Sequence, residues 1–194
     1  MPTRLSAGVV SALTGAALQP VDAAGRYGEP MTAAPDRLAW RHLTAPARAV
    51  AIGASRAVAA AGERDEDAFE AAVAQLQKLG PQQAGLVLGT VVRLLLEDLH
   101  PDGLDADDVR GVLEHCVAEA RRWQPDVDPH VLLVLLASAL GVHDPDADPA
   151  PPSEEALARH GALLVADLLA ERRRPLEGYL TAAFLDIERA EHHD

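Results

Sequence analysis

The sequence predicts an all-α fold: a bundle of about six helices behind a loosely ordered N-terminal extension. Three observations carry that expectation. Apolar residues recur at helical spacing from residue 65 onward, capping residues and prolines stand where helices should begin, and no segment alternates with period two. Hydrophobic residues make up 48% of the 194 and aromatics only 3%. A core must therefore be built from Leu, Val and Ala, which suits helix packing better than sheets.

Residues 1–62 read as an extension rich in Ala, Gly, Pro and Arg, broken at Pro20, Gly25, Gly28, Pro30, Pro35 and Pro46. Short helices at 5–18 and 47–61 lack a bulky apolar stripe. Alanine buries little area to offset ordering entropy, so this part is expected to be poorly ordered. Residues 5–21 follow Arg4 without a charge, as a secretory leader would, but they are poor in Leu and Ile. The expected location is cytoplasmic. Whether 1–62 is cleaved, or translation starts at Met31, is left open.

The folded body is placed at 63–143 as a four-helix core. Asp65 caps a helix over 65–79 that carries Phe69, Val73 and Leu76, and Gly80-Pro81 ends it and opens the next. That second helix, 81–100, carries Leu86, Val87, Val91, Leu94, Leu95 and Leu99. Asp105 caps a third over 106–123, where Leu104 and Val109 make a hydrophobic staple. Asp128-Pro129 opens the fourth, and its run from Val131 to Leu140 is apolar on every side, the expected centre of the core. An acidic, proline-rich linker fills 144–152. Ser153 then caps a helix over 154–172 with Leu157, Leu164 and Leu168, and Pro175 opens a last one over 175–190. These two form a C-terminal hairpin, 153–194, expected to pack on the core because two helices alone bury too little.

Charge is unevenly spread over the net −13. Residues 1–62 hold six arginines against three acidic residues, a balance of +3, whereas 63–194 hold 11 basic against 27 acidic residues, −16. So negative a body repels phosphate backbones, making nucleic acid an unlikely partner for it. No stretch offers the ~20 strongly apolar residues of a membrane span. The lone Cys116 allows no intrachain disulfide.

Asp144, Asp146, Asp148 and Glu155 stand at positions 1, 3, 5 and 12 of a calcium loop, where hard cations want converging carboxylate oxygens. Pro149 replaces the glycine needed at position 6, and Pro151 and Pro152 follow, which favours a solvated acidic linker. Glu97-x-x-His100 matches half of a di-iron carboxylate motif, with Glu188, Glu191 and His192 only a loose echo. Gly53-Ala-Ser55-Arg-Ala57 looks like a nucleophile elbow but has no strand before it. Cys116 beside Glu114 and His115 reads as a small core residue, since adjacent helical side chains diverge by about 100°. His143 and the tail His192-His193-Asp194 are expected to be solvated, and Arg172-Arg173-Arg174 to pair with acidic surface or helix-end carbonyls. Trp40, Arg41, Arg48, Ile52 and Arg56 would suit a basic arm, but lying against the protein's own acidic body is preferred.

No residue is therefore assigned a catalytic, cofactor or metal role, and catalysis is not expected. The leading functional expectation is a non-catalytic protein–protein interaction or regulatory module, with a protein partner or self-association through the C-terminal hairpin. Two alternatives stand beside it: a metal-dependent enzyme or calcium switch using the linker carboxylates, and a small-molecule-binding helical domain.

Overall fold

The computed structural model describes residues 40–144, 150–171 and 174–192. They form a bundle of seven helices: α1 Ala45–Glu63, α2 Glu66–Leu79, α3 Pro81–Leu99, α4 Ala106–Ala120, α5 Pro129–Ala139, α6 Glu154–Ala170 and α7 Leu176–Glu191. No strand occurs among the described residues.

Local chemistry accounts for most helix starts. The Asp65 carboxylate accepts the Ala68 N–H at 3.0 Å, and the Ser153 hydroxyl accepts the Ala156 N–H at 3.1 Å. At α4 the capping is reciprocal: Asp105 accepts the Asp107 and Asp108 N–H groups, while the Asp108 carboxylate accepts the Asp105 N–H at 3.0 Å. Asp128 caps α5 through the His130 N–H, with Pro129 in the first turn. Gly80, at φ 127°, separates α2 from α3 in a conformation that L side chains rarely adopt.

Packing centres on α3 and α6, which share the broadest interface in the described residues. Leu88, Val91, Val92, Leu95 and Leu96 of α3 and Ala162, Leu164, Val165 and Leu168 of α6 are buried. Each fully buried Leu contributes about 1.5–3 kcal/mol relative to an exposed one. The approach is close at Gly161, where an added Cβ would lie 3.1 Å from Leu88 Cβ. Helix α7 also packs on α3 and buries Tyr179, Leu180, Ala183 and Phe184. Polar links hold it there: Tyr179 donates to Asp98 at 2.7 Å, and Arg93 reaches Asp186 at 2.7 Å. The C-terminal hairpin thus spends its apolar stripe inside the bundle.

Two expectations need correction. Residues 40–62 do not belong to a loose extension. Helix α1 packs on α2 and α6 and buries Val50, Ala51, Ala54, Ala57, Val58, Ala60 and Ala61. Small residues let helices approach, so larger partners bury themselves against this face. At Gly53 a Cβ would come within 2.8 Å of Leu76 Cδ2. Trp40 is fully buried, and Arg48 donates to the carbonyls of Trp40, Arg41 and Leu43 at 2.9–3.2 Å, folding the entry to α1. The expected leader, the helix at 5–18 and the Met31 start lie outside the described residues.

The second correction concerns α5. Val131, Leu132, Val134, Leu135 and Leu136 are buried, but Leu133 is 46% exposed. This helix is short and is covered by α3, α4 and α6 without being enclosed, so it lies beside the centre. Helix α4 is also more peripheral than its pattern suggests. Only Cys116 and Ala120 are buried, while Val109, Val112, Leu113 and Val117 are half-covered. No single helix among the described residues is long and apolar enough to cross a membrane.

The α3–α6 contact predicts opposite outcomes for two glycines. Gly161→Leu forces a side chain into Leu88 and should destabilise the fold by about 3 kcal/mol. Gly111→Ala, in an α4 position with open space around it, should stabilise by about 1 kcal/mol. Denaturant unfolding of both variants checks the pair.

Candidate functional site

The last turns of α1, α4 and α6 surround a cavity of about 370 Å³. Ala61 and Gly62 close it from α1, His115, Cys116, Glu119 and Ala120 from α4, and Leu163, Ala166, Asp167 and Ala170 from α6. Trp123, just beyond α4, and Arg64, the residue that ends α1, complete the wall. Most of this lining is apolar, with a few polar groups converging on one place. That combination is what small-molecule sites share.

Each polar group has a structural reason to be there. Arg64 has φ 56°, the left-handed region, unusual for a residue other than glycine. Its N–H and that of Asp65 close the end of α1 on the carbonyls of Ala61 and Ala60. This turn sends the Arg64 guanidinium to Glu119 at 2.6 Å, where Arg122 also binds at 2.6 Å. Two arginines therefore answer one carboxylate.

Asp167 is placed differently. It interrupts the apolar run of α6 between Ala166 and Leu168, and its side chain is only 14% exposed. Burial pushes its carboxyl up to about 6. The carboxylates of Glu171 and Glu119 add to the rise, and His115 opposes it. The His115 Nε2 stands 3.5 Å from Asp167 Oδ1, on a side chain that is 60% exposed. Cys116 lies beneath them, and burial, assisted by the negative Asp167, pushes its thiol up to about 12. At neutral pH it is a protonated, weakly polar floor, not a nucleophile.

The sequence sets His115 and Cys116 side by side with no role assigned to either, and it does not point to Asp167. His115 faces Asp167 across the cavity, and Cys116 is the buried small residue expected from its position on α4. Asp167 is hard to find in the sequence because the Leu157, Leu164 and Leu168 stripe dominates this helix. The available signal was a single acidic residue inside ALLVADLLA.

A neighbouring polar cluster is structural. Arg159 pairs with Glu70 and Gln124, lies 5.2 Å over the Phe69 ring, and holds the Glu70 carboxyl below its usual range. Phe69 in turn meets Trp123 edge-to-face at 5.3 Å, bracing that wall of the cavity. The buried His160 lies 2.8 Å from the Ala156 carbonyl through Nδ1 and accepts the Asp128 N–H at 3.0 Å through Nε2. As a neutral ring it ties the start of α5 to α6, and burial lowers its pKa.

The metal readings gain no assembled site. Among the described residues no group of three or more His, Cys, Asp or Glu side chains is placed to hold a metal ion. Asp144 and Glu155 are exposed, and Asp146 and Asp148 lie outside the described residues. Glu97 pairs with Arg93 at 2.6 Å, His100 ends α3, and Glu188 is exposed. Arg174 lies 5.1 Å over the Tyr179 ring, whereas Arg172, Arg173, His193 and Asp194 fall outside the described residues. A second concavity of about 310 Å³ runs between α3 and α5, lined by Leu86, Gly89, Thr90, Arg93, Leu135, Ala139 and Leu157.

No protein-family model matches the chain, and comparisons with curated proteins and with solved structures return no match.

Asp167 makes stability depend on pH in a defined direction. Its folded pKa of about 6 lies above the ordinary carboxylate value, so the folded state holds this proton more tightly than the unfolded chain. Its ionisation costs stability as pH rises through about 6, and the cost disappears below about 4. Asp167→Asn should be more stable than the wild type at pH 8 by about 1–2 kcal/mol, after allowance for solvent screening. The advantage should vanish near pH 4, as denaturant melts at both values will register.

Proposed function

We propose that the protein is a small-molecule-binding helical domain, with its ligand seated in the cavity between α1, α4 and α6. One observation carries this reading: a cavity of about 370 Å³ whose mostly apolar wall contains a largely covered carboxyl, Asp167, with a raised pKa. A fold gains nothing by desolvating a carboxylate beside an empty space, and such groups cluster where ligands are held. Loose packing of α4 also supports it, because a lightly held wall lets a ligand in at little cost.

A second reading is favoured by a separate observation, the concavity between α3 and α5 with Leu86 53% exposed on its edge. In that reading the domain is an interaction module that pairs with a second copy through this face. The C-terminal hairpin no longer recommends itself for the purpose, since its stripe is buried.

A thermal-shift screen of chemically mixed fragments tests the first reading. A fitting ligand at 100 times its Kd adds about 2.7 kcal/mol and raises Tm by roughly 5–10 °C. The shift should be absent in Ala170→Trp, which fills the mouth of the cavity from an exposed helix end. An empty screen, or hits that survive in Ala170→Trp, would turn the assignment away from this cavity. A dimer by light scattering that Leu86→Arg dissolves would then favour the second.

A further inference from the structure

Resting on the small-molecule reading of this cavity, we propose that its ligand is a small organic monocation, an amine with an apolar body, whose charged nitrogen binds at Asp167. The geometry of the helices is the first reason. Helix α1 ends at Glu63, α4 at Ala120 and α6 at Ala170, and each contributes its final turns to the wall. A helix C-terminus carries roughly half a negative charge. Last-turn residues in the wall place the cavity beside these ends, a bias toward cations that the backbone caps on Ala60, Ala61 and Ala120 moderate.

The side chains agree with the backbone. Glu119 is already engaged by Arg64 and Arg122, with one positive charge in excess at that corner, so Asp167 is the carboxylate of the wall open to a cation. Among the described residues the ionic partner of Asp167 is His115, at 3.5 Å and largely in water. An ammonium with three donors can meet the Asp167 carboxylate more closely than this long contact does. The rest of the wall suits an apolar body: Leu163, Ala166, the protonated Cys116 thiol and the Trp123 ring, which also attracts cations. A divalent metal fits less well, since no three ligands converge among the described residues and hard dications require several oxygens.

Proton linkage follows from the charges facing the carboxyl. These are His115 and Glu119 from α4 and Glu171 beyond α6, with Arg64 in the same wall and Arg122 held on Glu119. An ammonium needs the ionised form of Asp167, which burial disfavours below about 6. Affinity should therefore rise between pH 5 and pH 7.

Calorimetric titration of the full chain with three probes of matched shape tests the proposal: benzylamine, benzyl alcohol and benzoate. Benzylamine should bind about ten-fold more tightly than the alcohol, the worth of one charge-assisted hydrogen bond. Benzoate should bind most weakly. Asp167→Asn should erase the preference for the amine while Glu171→Gln keeps it, and the preference should shrink at pH 5. Equal affinities for the three probes, or an amine preference that survives in Asp167→Asn, would overturn the cation while leaving the cavity a binding site. If no probe binds at millimolar concentration, the cation is overturned; a fragment screen that still yields ligands blocked by Ala170→Trp then keeps the cavity, and an empty screen removes both.

Discussion

Helix α6 is the constraint on which the other features depend. Gly161 lets it lie against Leu88 of α3, and with that contact made it also packs on α1, α2, α4 and α5. Enclosed on so many sides, its second half must be apolar nearly all round, and residues 161–165 are buried in succession. One residue breaks the rule. Asp167 follows this stretch, and the same packing that orders the core removes most of its water. The raised pKa and the cavity beside it are thus consequences of how the bundle is assembled.

The charges at this place and elsewhere on α6 respond to acid in opposite senses. Asp167 costs stability when ionised, so acid relieves it. His160 is held neutral between Asp128 and Ala156, and its lowered pKa means that acid must force a charge into a buried place. For His160, stability is present above the ordinary histidine value and is lost as pH falls below it. One helix therefore carries a strictly structural titratable group seven residues before a group whose environment suits a ligand. The difference lies in partners: His160 has its hydrogen bonds satisfied by backbone, whereas Asp167 faces open space and a long contact to His115.

Much of this architecture is readable before any coordinates. The caps at Asp65, Asp105, Asp128 and Ser153, with Gly80-Pro81, place helix starts within a residue because capping is local chemistry. Tertiary relations were less legible. An alanine-rich helix such as α1 has no bulky stripe, and its worth appears only when Leu76 settles against Gly53. The uniform greasiness of α5 implied a central position, yet centrality belongs to the longer α3 and α6 with their close contact. The cavity was invisible because it is formed by the ends of three helices far apart in sequence, and no spacing rule links Arg64, His115 and Asp167. Asp167 itself was in plain view as the one charge in an apolar run, but a lone acidic residue means little until its surroundings are known.

The most direct measurement is the titration of Asp167 by carboxyl carbon NMR in the intact protein, assigned with the Asp167→Asn variant. A midpoint near 6, well above the ordinary carboxylate value, is the result this account predicts. A midpoint near 4 would mean that water reaches the group freely, and it would contradict both the enclosure of α6 and the site built upon it.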